Sequence, residues 1–373
     1  MSSSYECWLC DDAGRRLGLL GKFAYLSLSR SAHGLGTLQF GLPYNAYAPY
    51  FQLIFQPDWR IDVWRSPEYG YPLRREGSFL LRKYRVYDRK TDNLRMIEFF
   101  GRSPIDILRR WTVQSTVAAE ISKTDEIDDM MKAIVTESFI TTPRVVPTGE
   151  FTVDGSVSLG PIISHEFFGK NVKDILMDLK NISFRLNAQL STNKRIFFDV
   201  VEGATLANGG FGYQFRTYAG LRGADRTKGI VFSIENGNLQ EPQYIEDYLD
   251  QITSAQVGAV TTVTSDDQYL SRWNKSLEYQ GTSSTDANVN TSKANEILEN
   301  GKAQKYLNAT FLNTPGSPNQ PRSLYGIDWD LGDLVPVNYA GKSMNAEVCI
   351  VYLSLDESGI ENVIGMNTIG GEA

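Results

Sequence analysis

At 373 residues with 12% aromatic and 22% charged side chains, the chain is too rich in Tyr, Phe and Trp to be disordered. It is long enough for about two to four modest domains with buried cores. The net charge of −7 argues against general nucleic-acid binding, because acidic surface repels phosphate. The start, Met1-Ser2-Ser3-Ser4, lacks a basic segment followed by an apolar stretch, and no apolar run approaches the ~20 residues of a membrane helix. The expectation is a protein made, and kept soluble, in the cytoplasm of its producer, with no stable membrane insertion.

Residues 1–112 read as β. Ser4–Cys10 and Arg15–Leu20 flank the turn Asp11-Asp12-Ala13-Gly14, a hairpin with glycine at its end. Phe23–Arg30 and Gly36–Leu42 follow, joined through His33-Gly34. Two-residue alternation returns in Trp59–Arg65, Phe79–Asp88 and Leu94–Phe100, and many short strands between turns indicate a barrel or sandwich. The unit closes with a short helix, Ser103 as N-cap and Pro104 in the first turn ahead of Ile105–Arg110.

After Trp111 the pattern changes. Thr124 is positioned to cap a helix whose Ile127, Met130, Met131 and Ile134 fall on one face. A second helix starts at Asn171 and buries Val172, Ile175, Leu176 and Leu179, with Asp174 forming a loose capping box. Strands are expected at Arg195–Val201 and Tyr213–Tyr218, so residues 116–225 form an α+β insert. β structure resumes in Gly229–Glu235 and Ile252–Thr264. Gly281–Asn290 reads as a loop leading to a polar helix, Ser292–Lys305, with Ala294, Ile297 and Leu298 on a narrow apolar face. A strand at Leu307–Leu312, a Pro/Gly loop at Asn313–Pro321, the acidic turn Tyr325–Val337 and a strand at Ala346–Leu355 complete the chain.

The residues that carry chemistry do not assemble. Cys7-x-x-Cys10 lies in an alternating strand, where i and i+3 point to opposite faces, and only His33, His165 and Cys349 remain as further soft ligands. His165-Glu166 opens like a zinc-protease helix, but the second histidine position is Gly169. Gly34-Leu35-Gly36 lacks the third glycine of a dinucleotide fingerprint, which falls at Gln39. Asp328, Asp330 and Asp333 invite a calcium reading, but Gly332 and Asp333 stand where an EF-hand needs Asp or Asn and then Gly, so they read as an acidic turn that bonds its own backbone. No catalytic, cofactor-binding or metal-ligating residue is assigned.

The charge is uneven. Residues 1–112 hold 17 Lys/Arg against 11 Asp/Glu, and the remainder holds 20 against 33, giving +6 and −13. Either the charges scatter over solvated faces, or the first domain meets an acidic partner.

Several segments, in order, resemble the siphophage tail-hub proteins, a family related to the central baseplate hub of contractile phages and to the N-terminal part of type VI secretion spikes. They are the Tyr5–Leu20 hairpin with Gly36-Thr37-Leu38; Gly101–Leu108; Asp128–Val135; Val231-Phe232-Ser233 with Gly237-Asn238-Leu239, Tyr244, Asp247 and Tyr248; and Tyr325–Val337. The resemblance implies a mainly β protein with an α+β insert: two tube-type β-barrel domains, a smaller helix-containing domain and a short helical insertion. The boundaries become 1–115 for the first barrel, 116–225 for the insert, 226–280 with 307–373 for the second barrel, and 281–306 for the loop-helix insertion.

It further implies a structural virion protein at the tail tip or baseplate, assembled in the host cytoplasm; the sequence departs from the family in showing no attached peptidase, lysozyme or fibre module, so no enzyme role is expected. Homotrimers would form a pseudo-sixfold ring that joins the tail tube or distal tail protein ring to the tip and lets DNA pass. The tape measure protein and tail fibre or tip proteins would be neighbours, without specific nucleic-acid recognition. An acidic lumen would use the −13 of residues 113–373, and the +6 domain would face an acidic ring. A receptor- or carbohydrate-binding tail-tip protein is the alternative, and an enzyme acting on cell-wall glycan or peptide a third reading.

Overall fold

The computed structural model describes residues 4–47, 56–113, 121–140, 150–187, 195–263, 276–278 and 290–367, apart from positions 22, 57, 69, 91–92, 168–169, 207–209, 250, 259, 292–293, 296, 299–300, 302–303 and 319. The architecture is mainly β with small helical parts.

β1 (Ser4–Cys10) and β2 (Arg16–Leu19) form the expected hairpin. The turn is fixed by Asp11, whose carboxylate accepts the Arg15 N–H at 2.7 Å, and by Gly14 at φ +80°. β3 (Tyr25–Ser31), β4 (Thr37–Pro43), β5 (Arg60–Ser66), β6 (Arg74–Asp88) and β7 (Arg95–Arg102) follow. β6 is the pivot of this set. Its first half pairs with β5 and its second half with β7, with a bulge between Leu81 and Lys83. A strand that changes partners through a bulge turns a corner in the sheet, which is why Phe79 to Leu81 are buried and Lys83 to Val86 exposed.

The last strands return to the first. β21 (Ile350–Leu355) lies antiparallel to β3, from Ile350 opposite Ser31 to Leu355 opposite Leu26. With β14 (Leu239–Asp247), β18 (Gln304–Leu312) and β22 (Glu361–Asn367), this gives one eleven-stranded sheet in the order β14-β18-β22-β21-β3-β4-β7-β6-β5-β1-β2. One apolar core serves both ends: Leu26, Phe40, Phe79 and Phe99 pack in the same cluster as Phe232, Phe311, Trp329 and Val351. Each such side chain contributes about 1.5–3 kcal/mol on full burial. A smaller sheet, β13 (Phe232–Ser233), β19 (Leu334–Tyr339) and β20 (Lys342–Glu347), carries the end of the acidic turn.

The insert has its own core. Helix Ile127–Phe139 buries Met130, Met131, Ile134 and Val135 against Ile175, Leu176 and Leu179 of helix Val172–Asn187. β11 (Ile196–Thr205) and β12 (Phe211–Ala219) add Phe198, Val200 and Phe215, and β9 (Phe151–Val153) pairs with β12. The short helix Pro104–Arg109 belongs to the same core through Ile105 and Leu108, seating the insert on the first strands.

Several local expectations are corrected. Ser103 stands at the N-cap with Pro104 in the first turn as expected, but the turn is 3-10 in type and the hydroxyl makes no capping bond; it accepts the Gly36 N–H at 2.9 Å, fastening the turn to the start of β4. Thr124 lies in β8 (Ile121–Glu126), opposite Ser164 of β10 (Ile162–Phe167), so strand pairing delays the helix until Ile127. Asn171 does cap its helix, accepting the Lys173 N–H at 2.9 Å. Ile252–Thr264 is not one strand but two, β15 (Ser254–Val257) and β16 (Val260–Val263), reversing at Gly258 with φ +59°, and β17 (Ser276–Glu278) runs parallel to β15. Of Gly229–Glu235 only Phe232–Ser233 pairs, and Lys305 belongs to β18. The loop expected at Gly281–Asn290 lies almost wholly outside the described residues. Ala294 and Leu298 do share an apolar face, packed with Ala255 and Val257.

Candidate functional site

Among the described residues, a dense constellation of polar groups forms a buried seam where the acidic turn meets the first strands. In β5 and β6, alternation places Arg65, Arg74 and Glu76 beside one another, and β3 adds Arg30. Glu76 is fully buried and accepts from Arg30 Nη1 at 2.9 Å, Arg74 Nε at 2.8 Å and the Tyr325 hydroxyl at 2.8 Å. Tyr325 lies between two guanidiniums, its ring centroid 4.6 Å from that of Arg74 and 5.4 Å from that of Arg65. Arg65 donates to Glu361 through Nε and Nη2, at 2.5 and 2.8 Å, and to the Tyr325 carbonyl at 3.2 Å. Arg74 reaches Asp330 at 2.7 Å, and the Tyr5 hydroxyl donates to Glu361.

Three guanidiniums thus face three carboxylates and two phenols. The formal charges cancel, and the close hydrogen bonding offsets the desolvation that burial imposes. Burial raises the pKa of Tyr325 and Tyr5 well above the usual tyrosine value, the neighbouring carboxylates adding to it, so both stay neutral. Burial pushes Asp330 upward, but Arg30 and Arg74 outweigh it and hold the carboxyl below its ordinary value. A seam of this kind holds two parts of a chain together.

The acidic turn is built the same way. Asp328 accepts the Leu324 N–H at 2.8 Å and a doubly bonded Arg322. Asp333, 2% exposed, accepts from the N–H groups of Ala224 at 2.7 Å and Asp330 at 2.9 Å and from Arg226 at 3.2 Å. The three aspartates turn to different partners, so a shared cation is not their arrangement. Gly332, at φ +84°, lets the chain pass against Arg222 and Gly223.

A second seam joins the insert to the first strands. Arg60, 1% exposed, lies 4.8 Å from the Tyr213 ring centroid and donates to the Phe211 carbonyl at 2.5 Å. Asp62 accepts from Arg75 at 3.0 Å and from Ser78 at 2.7 Å, while Arg75 also meets Glu202 at 2.5 Å. Beside it lies a cavity of about 210 Å³ lined by Arg30, Arg75, Glu76, Asp199, Glu202 and Arg222, among others. Its charges are already matched: Asp199 accepts from Arg222 at 2.8 and 2.5 Å.

The candidates weighed from the sequence lie elsewhere. Cys7 is buried in the main core, and Cys10 faces the other way, its thiol 3.5 Å from Asp62. Burial pushes both thiols up to about 12, the opposite of a reactive cysteine. His165 sits in β10 against Phe167, on a strand and not a helix. Arg30, Arg65, Arg74, Glu76 and Glu361 escaped the sequence reading. The available signal was an arginine or glutamate within strands that alternate, as in Arg74-x-Glu76.

Taken along its whole length, the fold matches a 43 kDa tail protein of prophage MuSo2 from Shewanella oneidensis with a TM-score of 0.55, covering 97% of this chain and 97% of that one at 12% sequence identity. A tail protein from Neisseria meningitidis MC58 matches at 0.53, with 11% identity and coverage of 98% and 96%. The chain has the fold of phage tail proteins. That tail-protein fold also matches part of a Francisella PdpA–VgrG complex, at a TM-score of 0.52 and 10% identity, covering 98% of this chain and 57% of that chain. No protein-family model and no curated protein matches the sequence. At such identities the backbone fold is shared while most side chains differ.

Proposed function

We propose that this chain is a structural component of a phage-type tail, a hub or baseplate subunit and not an enzyme. The observation that carries this reading is the end-to-end match in fold to tail proteins, with no large part of either chain left over. The buried seam supports it, since its groups are fixed in charge and committed to one another. In this reading three copies assemble, each supplying two barrel domains, 1–115 and 226–280 with 307–373, to a pseudo-sixfold ring. The insert 116–225 and the segment 281–306 decorate it. The ring joins the tail tube or distal tail ring to the tip, beside the tape measure and fibre proteins, and DNA passes through it in the assembled virion.

The test is the copy number of the chain in an intact particle, together with sedimentation of the purified protein. Three copies at the tail end, or a trimer in solution, is the expected result. A protein that stays monomeric at all concentrations and fails to bind tube protein overturns it. A second reading, receptor or carbohydrate binding at a tail tip, draws on Tyr71, Tyr84 and Tyr352, exposed by 42%, 40% and 45%. Glycan-array binding by the isolated chain would favour it.

A further inference from the structure

The residues around the start of β21 assemble a ligand set that the sequence keeps far apart. His33 follows β3, Glu347 ends β20, and Cys349 stands just before β21. The Ala32 N–H donates to the Cys349 carbonyl at 2.8 Å, which brings the two segments into register. His33 Nε2 lies 2.9 Å from Glu347 Oε1, and one ligand atom from each of His33, Glu347 and Cys349 falls within 4.8 Å of the others.

A further observation points to a ligand there. The His33 ring is held in place by stacking on Phe197 of β11 at 4.5 Å. Asn367 is 1% exposed, and its Oδ1 lies 3.8 Å from the Cys349 sulfur. Its Nδ2 is buried without a partner. Turning that amide over would direct an N–H at the sulfur, the support a metal-bound thiolate takes from its surroundings.

We propose that His33, Glu347 and Cys349 bind a zinc-type divalent cation. An imidazole, a thiolate and a carboxylate make a donor set suited to zinc and poorly suited to calcium or magnesium. Bond lengths of about 2.0–2.3 Å put tetrahedral neighbours about 3.3–3.8 Å apart, so side-chain movements of about an ångström complete the shell. Binding displaces the thiol proton of Cys349 to solvent, and water takes the fourth position. The ion would tie the end of β3 to β20 and β21, at the point where β11 of the insert also touches, so it would act as a fastening between the first and last parts of the chain.

The test uses the full chain, stripped with a chelator and titrated with cobalt(II) and then zinc. One equivalent of cobalt is expected to produce the near-ultraviolet thiolate-to-cobalt absorption, and one equivalent of zinc to displace it. The band is expected to vanish in Cys349→Ser and to persist in His165→Ala. Asn367→Ala is expected to lower zinc affinity about 10–100-fold, the usual scale for a supporting residue. Should Cys349→Ser fail to fold, Glu347→Gln gives an independent reading and must lower affinity at least tenfold. Absence of saturable binding, a band that survives Cys349→Ser, or undiminished affinity in Glu347→Gln overturns the proposal.

Discussion

Arg65 and Glu361, 296 positions apart in the chain, form a doubly bonded ion pair with the guanidinium wholly out of solvent. Removing one partner of such a pair strands a buried charge, at a cost of about 3–5 kcal/mol. Glu361→Ala should therefore lower the thermal midpoint steeply in calorimetry. Replacing both residues by apolar ones, as Arg65→Met with Glu361→Leu, should recover much of the loss. A Glu361→Ala protein melting like the parent would show that the seam does not hold the fold.

The pH dependence has two limbs. Asp330 and Glu98 have folded pKa values below their ordinary 3.8 and 4.5. The unfolded chain therefore binds protons first, so the stability these groups contribute is fully present above those values and is lost as pH falls through the folded ones. Tyr5 and Tyr325 are raised above 10.0, so their contribution is present below pH 10 and is lost as pH rises beyond it. Urea midpoints should be flat through neutral pH and fall at both ends. In Asp330→Asn the acid limb should be shallower; an unchanged acid limb would remove Asp330 from the account.

Gly332 combines a positive φ with a close approach. A Cβ there would stand 2.8 Å from Arg222 Cβ and 2.9 Å from the Gly223 nitrogen. Gly341 also has a positive φ, +73°, but open space around it. Gly332→Val should impair folding or assembly, costing more than the about 1–3 kcal/mol of backbone strain alone, whereas Gly341→Ala should cost only that strain. Equal denaturation midpoints for the two variants would refute the steric part of the argument.

Asp333 satisfies two backbone N–H groups and one guanidinium at once. Asp333→Ala leaves the N–H groups of Ala224 and Asp330 without their acceptor, at about 1–3 kcal/mol each. Asp333→Asn keeps one acceptor oxygen and should fall between the variant and the parent in urea unfolding. Asparagine proving as damaging as alanine would shift the emphasis from the backbone bonds to the Arg226 pair.

Much of the fold was legible in the sequence, because alternation and turn chemistry are local. The Ser4–Leu20 hairpin, the apolar face of Ile127–Ile134 and the Asn171 cap all follow from residues within a few positions of one another. Ser103 and Thr124 misled because each is a competent cap whose hydroxyl or backbone was claimed by a distant strand. The zinc-type cluster was illegible for the same reason: 314 positions separate His33 from Glu347.

Charge shows the division most clearly. Composition alone gives the excess of +6 in residues 1–112 and of −13 in the rest, and leaves open whether the charges scatter over solvated faces or the first part meets an acidic partner. The structure supplies that partner within the chain: Arg30 and Arg74 meet Asp330, Arg65 meets Glu361, Arg75 meets Glu202 and Arg89 meets Glu357. The Arg30, Arg65 and Arg74 partners depend on β21 and its neighbours lying beside β3, and the Arg75 partner on the insert lying against the first strands. Local sequence sets how many charges there are and which strand face each can occupy; only the pairing of distant segments sets their partners.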